Sequence, residues 1–122
     1  MVKRVLDVGN CAADHAAIRR FVEGTFEATV ARAHGIPDAL AAMRAEGFAL
    51  VLVNRLLDHG GEGIQVISSI KNDPAVADVP VMLITNYTEH QQAAVAAGAV
   101  SGFGKSELHS PQTHEKLARF LG

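Results

Sequence analysis

The sequence predicts an α/β fold: a doubly wound, five-stranded parallel sheet with two helices on one face and three on the other. Three observations carry this. The run 48–53, Phe-Ala-Leu-Val-Leu-Val, is apolar without alternation, which fits a strand buried on both faces and so a parallel sheet covered by helices. Strand-like and helix-like segments alternate five times along the 122 residues, a pattern that right-handed crossovers wind into layers. Three strand-like runs end on polar residues, Asn54, Thr85 and Lys105, as expected where strand ends open on a ligand crevice.

Residues 2–8 read as the first strand, with Asp7 an odd polar residue inside it, and Gly9, Asn10 and Cys11 form a turn. Residues 12–23 carry Ile18, Phe21 and Val22 on one side and Arg19, Arg20 and Glu23 on the other, a helix that Gly24 is expected to stop. The mixed polarity of 26–31 suits an edge strand. Ile36, Pro37 and Asp38 open a second helix with proline in its first turn; Ala39, Leu40 and Met43 are its apolar stripe, and Gly47 ends it. The strand 48–53 is followed by a polar loop, 55–63, with three glycines. A third helix over 63–71 sets Ile64, Ile67 and Ile70 at helical spacing, and Asn72-Asp73-Pro74 terminates it. Pro80 precedes the strand 81–85, a position proline tolerates. Thr88-Glu89-His90-Gln91 is close to a capping box for a weakly amphipathic fourth helix, which Gly98 closes. Residues 100–104 are a short last strand, and Ser110-Pro111 starts a final helix through Leu121.

The length suits a single domain over residues 1–122 with one core. A formal net charge of -2 gives no reason to expect nucleic acid or an anionic membrane as partner. No Trp, one Tyr and five Phe are few for a reader that stacks bases. One cysteine excludes an internal disulfide and suits a reducing, cytoplasmic setting. Met1-Val2-Lys3-Arg4 begins like a signal peptide, but Asp7, Gly9 and Asn10 break the apolar run behind it. No segment approaches the roughly 20 apolar residues of a membrane helix.

Parallel strands bring all their C-terminal ends to one face, so the amide of Asn54, the hydroxyl of Thr85 and the ammonium of Lys105 are expected to converge beside Gly9 and Asn10. With Val81-Met82-Leu83-Ile84-Thr85, Gly102-Phe103-Gly104-Lys105 and the Gly98-Ala99 pair, the chain resembles, over essentially its whole length, the receiver domain of bacterial two-component response regulators. That resemblance implies a (βα)5 flavodoxin-like, CheY-like three-layer sandwich. It also implies a phosphoacceptor aspartate ending the third strand, a Thr or Ser ending the fourth, a Lys ending the fifth, and two acidic residues after the first strand that hold Mg²⁺. Thr85 and Lys105 match. Asn54 stands in place of the acceptor aspartate, and Gly9 and Asn10 in place of the acidic pair.

These departures predict a degenerate pseudo-receiver. A neutral amide is no nucleophile for an acyl phosphate, and Gly9 and Asn10 offer no charged oxygen to a hard cation, so Mg²⁺ binding is expected to be weak or absent. Small phosphodonors are then expected to leave the chain unmodified. Lys105 is expected within reach of Asn54 or Thr85. Gly102 occupies the family's aromatic switch position, Phe103 is expected in the core, and Tyr87 and His59 lie next to the site, Tyr87 as a cover. Cys11 is expected to be a quiet, partly buried thiol, and the six histidines show no metal-binding spacing. The resemblance implies a non-enzymatic signalling module that binds a protein, a histidine kinase or an output protein, through its fourth helix, fifth strand and fifth helix, as a monomer or weak homodimer. Two rivals stand beside it. One is a conventional phosphorylated receiver using another acceptor such as Asp58, whose place four residues past the strand end argues against it. The other is a small flavodoxin-like enzyme or ligand-binding domain using Cys11, Asn54 and Lys105.

Overall fold

The computed structural model describes residues 2–122. Its elements alternate as expected: β1 (Lys3–Val8), α1 (Ala12–Thr25), β2 (Ala28–Ala33), α2 (Ile36–Ala45), β3 (Leu50–Asn54), α3 (Gly63–Lys71), β4 (Val81–Ile84), α4 (Thr88–Ala96), β5 (Val100–Phe103) and α5 (Pro111–Leu121), with a 3-10 turn at Lys105–Glu107. All strands are parallel, in the order β2-β1-β3-β4-β5. The order reverses between β1 and β3, which opens a crevice at their C-terminal ends.

The pleat of β3 divides the core. Leu50 and Leu52 face α1 and α5, packing with Val5, Met82, Ile84, Ile18, Val22 and Leu117. Val51 and Val53 face the other way, toward α2, α3 and α4, with Leu6, Val8, Leu83, Met43, Ile67 and Ala94. The predicted split of two helices and three is thus what the alternation produces. Each of these fully buried Leu, Ile and Val side chains contributes about 1.5–3 kcal/mol relative to exposure.

The boundaries differ where a local contact outranks the pattern. Gly24 sits inside the last turn of α1, and the helix ends where the Phe26 amide bonds the Val22 carbonyl, so β2 starts at Ala28 instead of residue 26. Phe48 is buried but precedes the paired part of β3; the Arg4 guanidinium lies over its ring at 5.4 Å. The β4–β5 register shifts between Met82 and Ile84. Gln91 of α4 repairs that irregularity: its amide nitrogen donates to the Leu83 carbonyl at 2.9 Å, and its oxygen accepts from the Gly102 amide at 2.9 Å. A Cβ on Gly102 would overlap the Leu83 carbonyl, so glycine is what lets β5 approach there.

Candidate functional site

Asn54, Thr85, Lys105 and Tyr87 line one crevice of about 220 Å³ at the ends of β3, β4 and β5, so the topology does bring these predicted residues together. Their bonds are not the expected ones. The Asn54 amide nitrogen donates to the Leu56 carbonyl at 2.6 Å, holding the loop that follows β3. Thr85 Oγ1 accepts from the Tyr87 amide at 3.3 Å. Lys105 Nζ donates to neither Asn54 nor Thr85; it pairs with Asp14 at 2.7 Å in the first turn of α1. The reason is charge: Asn54 is neutral, while Asp14 is a carboxylate whose pKa is held below its usual value chiefly by the Lys105 hydrogen bond. Asp14 thus stands at the start of α1 and is the lysine's partner. Tyr87 is 56% exposed, and the Arg55 guanidinium lies 5.9 Å from its ring centre. Phe103 is buried among core residues, as expected. Cys11 is exposed, which corrects the expectation of a partly buried thiol; as N-cap of α1 it makes no side-chain cap bond and remains at the surface.

Gly9 and Asn10 lie apart from that crevice. Gly9 has φ +83, and a Cβ there would meet Leu57, so the position is fixed by a turn and by packing. Asn10 is fully buried; its amide nitrogen donates to Asp7 at 2.6 Å, and its Oδ1 has no partner among the described residues. The other Asp7 oxygen is 2.7 Å from His15 Nδ1. Burial raises the Asp7 pKa, with Asn10, His15 and Arg32 acting in the opposite direction. The family's Mg²⁺ site does not fit these residues. Gly9 brings no ligand, Leu57 fills its space, and both Asp7 oxygens are already engaged.

The carboxylate beside Gly9 is Asp58. Its backbone amide donates to the Gly9 carbonyl at 2.9 Å, which ties the β3–α3 loop to the end of β1. Its side chain is 13% exposed. Three groups approach Oδ2: His34 Nδ1 at 2.8 Å, Arg32 at 3.3 Å and His59 Nε2 at 3.8 Å. Desolvation opposes its charge, but the His34 hydrogen bond and the charges of His34, His59 and Arg32 outweigh it and hold the pKa below the usual value. Arg32 also donates to the Asn10 carbonyl at 3.1 Å. His34, Asp58 and His59 bring ligand atoms within 4.8 Å of one another, a grouping that could hold a metal ion.

Asp58 corrects the central expectation. Asn54 does end β3, but the conclusion drawn from it, a degenerate pseudo-receiver without an acceptor carboxylate and so without standard phosphorylation, does not hold, because the acidic residue is retained in the β3–α3 loop. Linear spacing also missed the histidines, since His34 and His59 stand 25 positions apart in sequence and meet only through the β2-β1-β3 order. The legible signal was positional: His34 follows β2 and Asp58-His59 follow β3, and parallel topology puts both loops on one face.

Solved structures place this architecture. The fold is that of response-regulator receiver domains. Among the similar structures, a putative response regulator from Chloroflexus aurantiacus superimposes with a TM-score of 0.86 at 16% identity, covering 98% of each chain. The signal receiver domain of a DNA-binding response regulator from Colwellia psychrerythraea gives 0.80 at 21% identity, covering 96% of each chain. The chemotaxis response regulator CheY4 of Vibrio cholerae gives 0.77 at 18% identity, covering 99% of this chain and 100% of its own. No protein-family model matches the sequence, and neither does a curated protein. Among the described residues no helix is long and apolar enough to cross a membrane.

Proposed function

We propose that the chain is a receiver-like signal-transduction module that accepts a phosphoryl group on Asp58 and transmits the change by binding a protein partner. The observation that carries this reading is an ionised carboxylate tethered to the end of β1, with all its described partners on one oxygen. Oδ1 is the oxygen left to attack. In the step proposed, Oδ1 forms a bond to phosphorus as the bond from phosphorus to the donor's leaving group breaks, giving an acyl phosphate. Arg32, already against this carboxylate, supplies positive charge to the incoming phosphoryl oxygens. The new charge would compete for Arg32, which also holds the Asn10 carbonyl after β1, and for His34, which follows β2. The partner that donates the phosphoryl group is a histidine kinase by analogy with the fold, the setting is the cytoplasm, and the chain works as a monomer or weak homodimer.

The test is acetyl phosphate treatment followed by intact-protein mass spectrometry and peptide mapping. The expected result is one added phosphoryl group on Asp58, absent from Asp58→Asn. No gain of mass, or a gain mapped elsewhere and retained by Asp58→Asn, defeats the reading.

A further inference from the structure

We propose that His34, Asp58 and His59 form a binding site for a borderline divalent transition ion of the Zn²⁺ class. The site stands on geometry and donor chemistry and does not depend on phosphorylation. Two imidazole nitrogens and one carboxylate oxygen lie within 4.8 Å of one another. A tetrahedral ion with bonds of about 2.0–2.2 Å holds its ligand atoms roughly 3.3–3.6 Å apart. The separations here, 2.8 Å from His34 Nδ1 to Asp58 and 3.8 Å from His59 Nε2 to the same oxygen, bracket that value. A nitrogen-rich set selects against Mg²⁺, which prefers oxygen and an octahedral shell, and favours Zn²⁺, Co²⁺ or Ni²⁺.

The two rings now stack in parallel, with centres 4.0 Å apart and planes inclined by 2°. Their nitrogen lone pairs run side by side, so one ring must tilt for both to point at one ion. His59 is the ring free to do so. Its side chain is 68% exposed, and it precedes Gly60 and Gly61, both at φ +99. His34 is the fixed ligand. Asp38 accepts from the His34 amide at 2.7 Å and from the Gly35 amide at 2.8 Å, fixing the backbone that carries the ring. A cavity lined by both histidines, Asp38 and Gln65 opens alongside, with room for a water or an external group as fourth ligand. Arg32 opposes the ion, because its guanidinium competes for Asp58 Oδ2.

The experiment titrates the metal-free full chain with Co²⁺, read by visible absorbance, and with Zn²⁺ in a calorimeter. One equivalent is expected to bind, with the intense absorption of a four-coordinate Co²⁺ site. His34→Ala and His59→Ala should each weaken binding by about tenfold or more. Arg32→Ala should tighten it. His90→Ala removes a histidine that packs on Tyr87 away from the cluster, and should leave binding unchanged. Undiminished binding in the His34→Ala, His59→Ala double variant, or no binding tighter than millimolar by the wild type, overturns the proposal. The double variant keeps Asp58, so acetyl phosphate treatment of the same sample separates failure of the metal site from failure of the acceptor.

Discussion

Asp7 is a fully buried carboxylate near the C-terminal end of β1, satisfied by Asn10 on one oxygen and facing His15 on the other. Burial raises its pKa, so the folded chain holds that proton more tightly than the unfolded chain. Stability from this group is then fullest below the usual carboxylate value and falls as pH rises toward the folded value. Asp7→Asn keeps an oxygen for Asn10 and removes the charge, so its stability relative to wild type should be more favourable at about pH 7 than at about pH 4. Urea unfolding at both pH values measures this; an equal loss at both would show that the charge is not what the site resists. Gly9 offers a second residue-scale test. With φ +83 and Leu57 against the missing Cβ, Gly9→Ala should cost about 1–3 kcal/mol. Gly24 has no atom within 4 Å of a new Cβ and lies in α1, so Gly24→Ala should gain about 0.5–1 kcal/mol. Denaturant midpoints should move in opposite directions, and a shared direction would refute the assignment.

At the scale of elements, one side chain of α4 bridges β4 and β5 where their pairing slips. Gln91 serves the Leu83 carbonyl and the Gly102 amide where the β4–β5 register slips. Gln91→Ala would leave both buried backbone groups without their partner, at about 1–3 kcal/mol. Hydrogen exchange at the Gly102 amide should accelerate in that variant, and unchanged protection would show that the strands hold without it. The start of α5 is a simpler case. Ser110 Oγ accepts from the Thr113 amide at 3.2 Å, so Ser110→Ala should cost about 1 kcal/mol in thermal or denaturant unfolding. By contrast, Lys105–Asp14 joins the turn after β5 to α1 through two side chains that are 38% and 41% exposed. Such a pair is worth about 0–1 kcal/mol, and it positions the lysine more than it stabilises the fold.

At the scale of the molecule, the sheet order decides which loops meet. β1 lies between β2 and β3, so the ends of β2 and β3 flank its own end, and His34, Asp58 and Gly9 become neighbours. The crevice with Asn54, Thr85 and Lys105 lies on the β3–β4–β5 side. The polar groups of this face therefore fall into two sets, one acidic and imidazole-rich, the other an amide, a hydroxyl and a paired ammonium. If Asp58 takes a phosphoryl group, the first set changes charge, and the end of β1 links that change to Asn10 and the buried Asp7.

The sequence by itself determined the layers, the parallel sheet and the order of its helices and strands, because apolar periodicity is a local record of which side of an element meets the core. Gly63–Lys71 and Pro111–Leu121 are legible to the residue from their apolar spacing and their start signals. It also showed that Asn54, Thr85 and Lys105 would share an edge. Which groups bond there was not legible. Lys105 chose Asp14 over Asn54 across 91 positions, His34 closed on Asp58 across 24, and Gln91 bridged a register slip between two strands. Only the tertiary structure decided those pairings. Hydrogen bonds and ion pairs depend on a few tenths of an ångström and on competition among every charge within reach, and neither quantity is written in linear spacing.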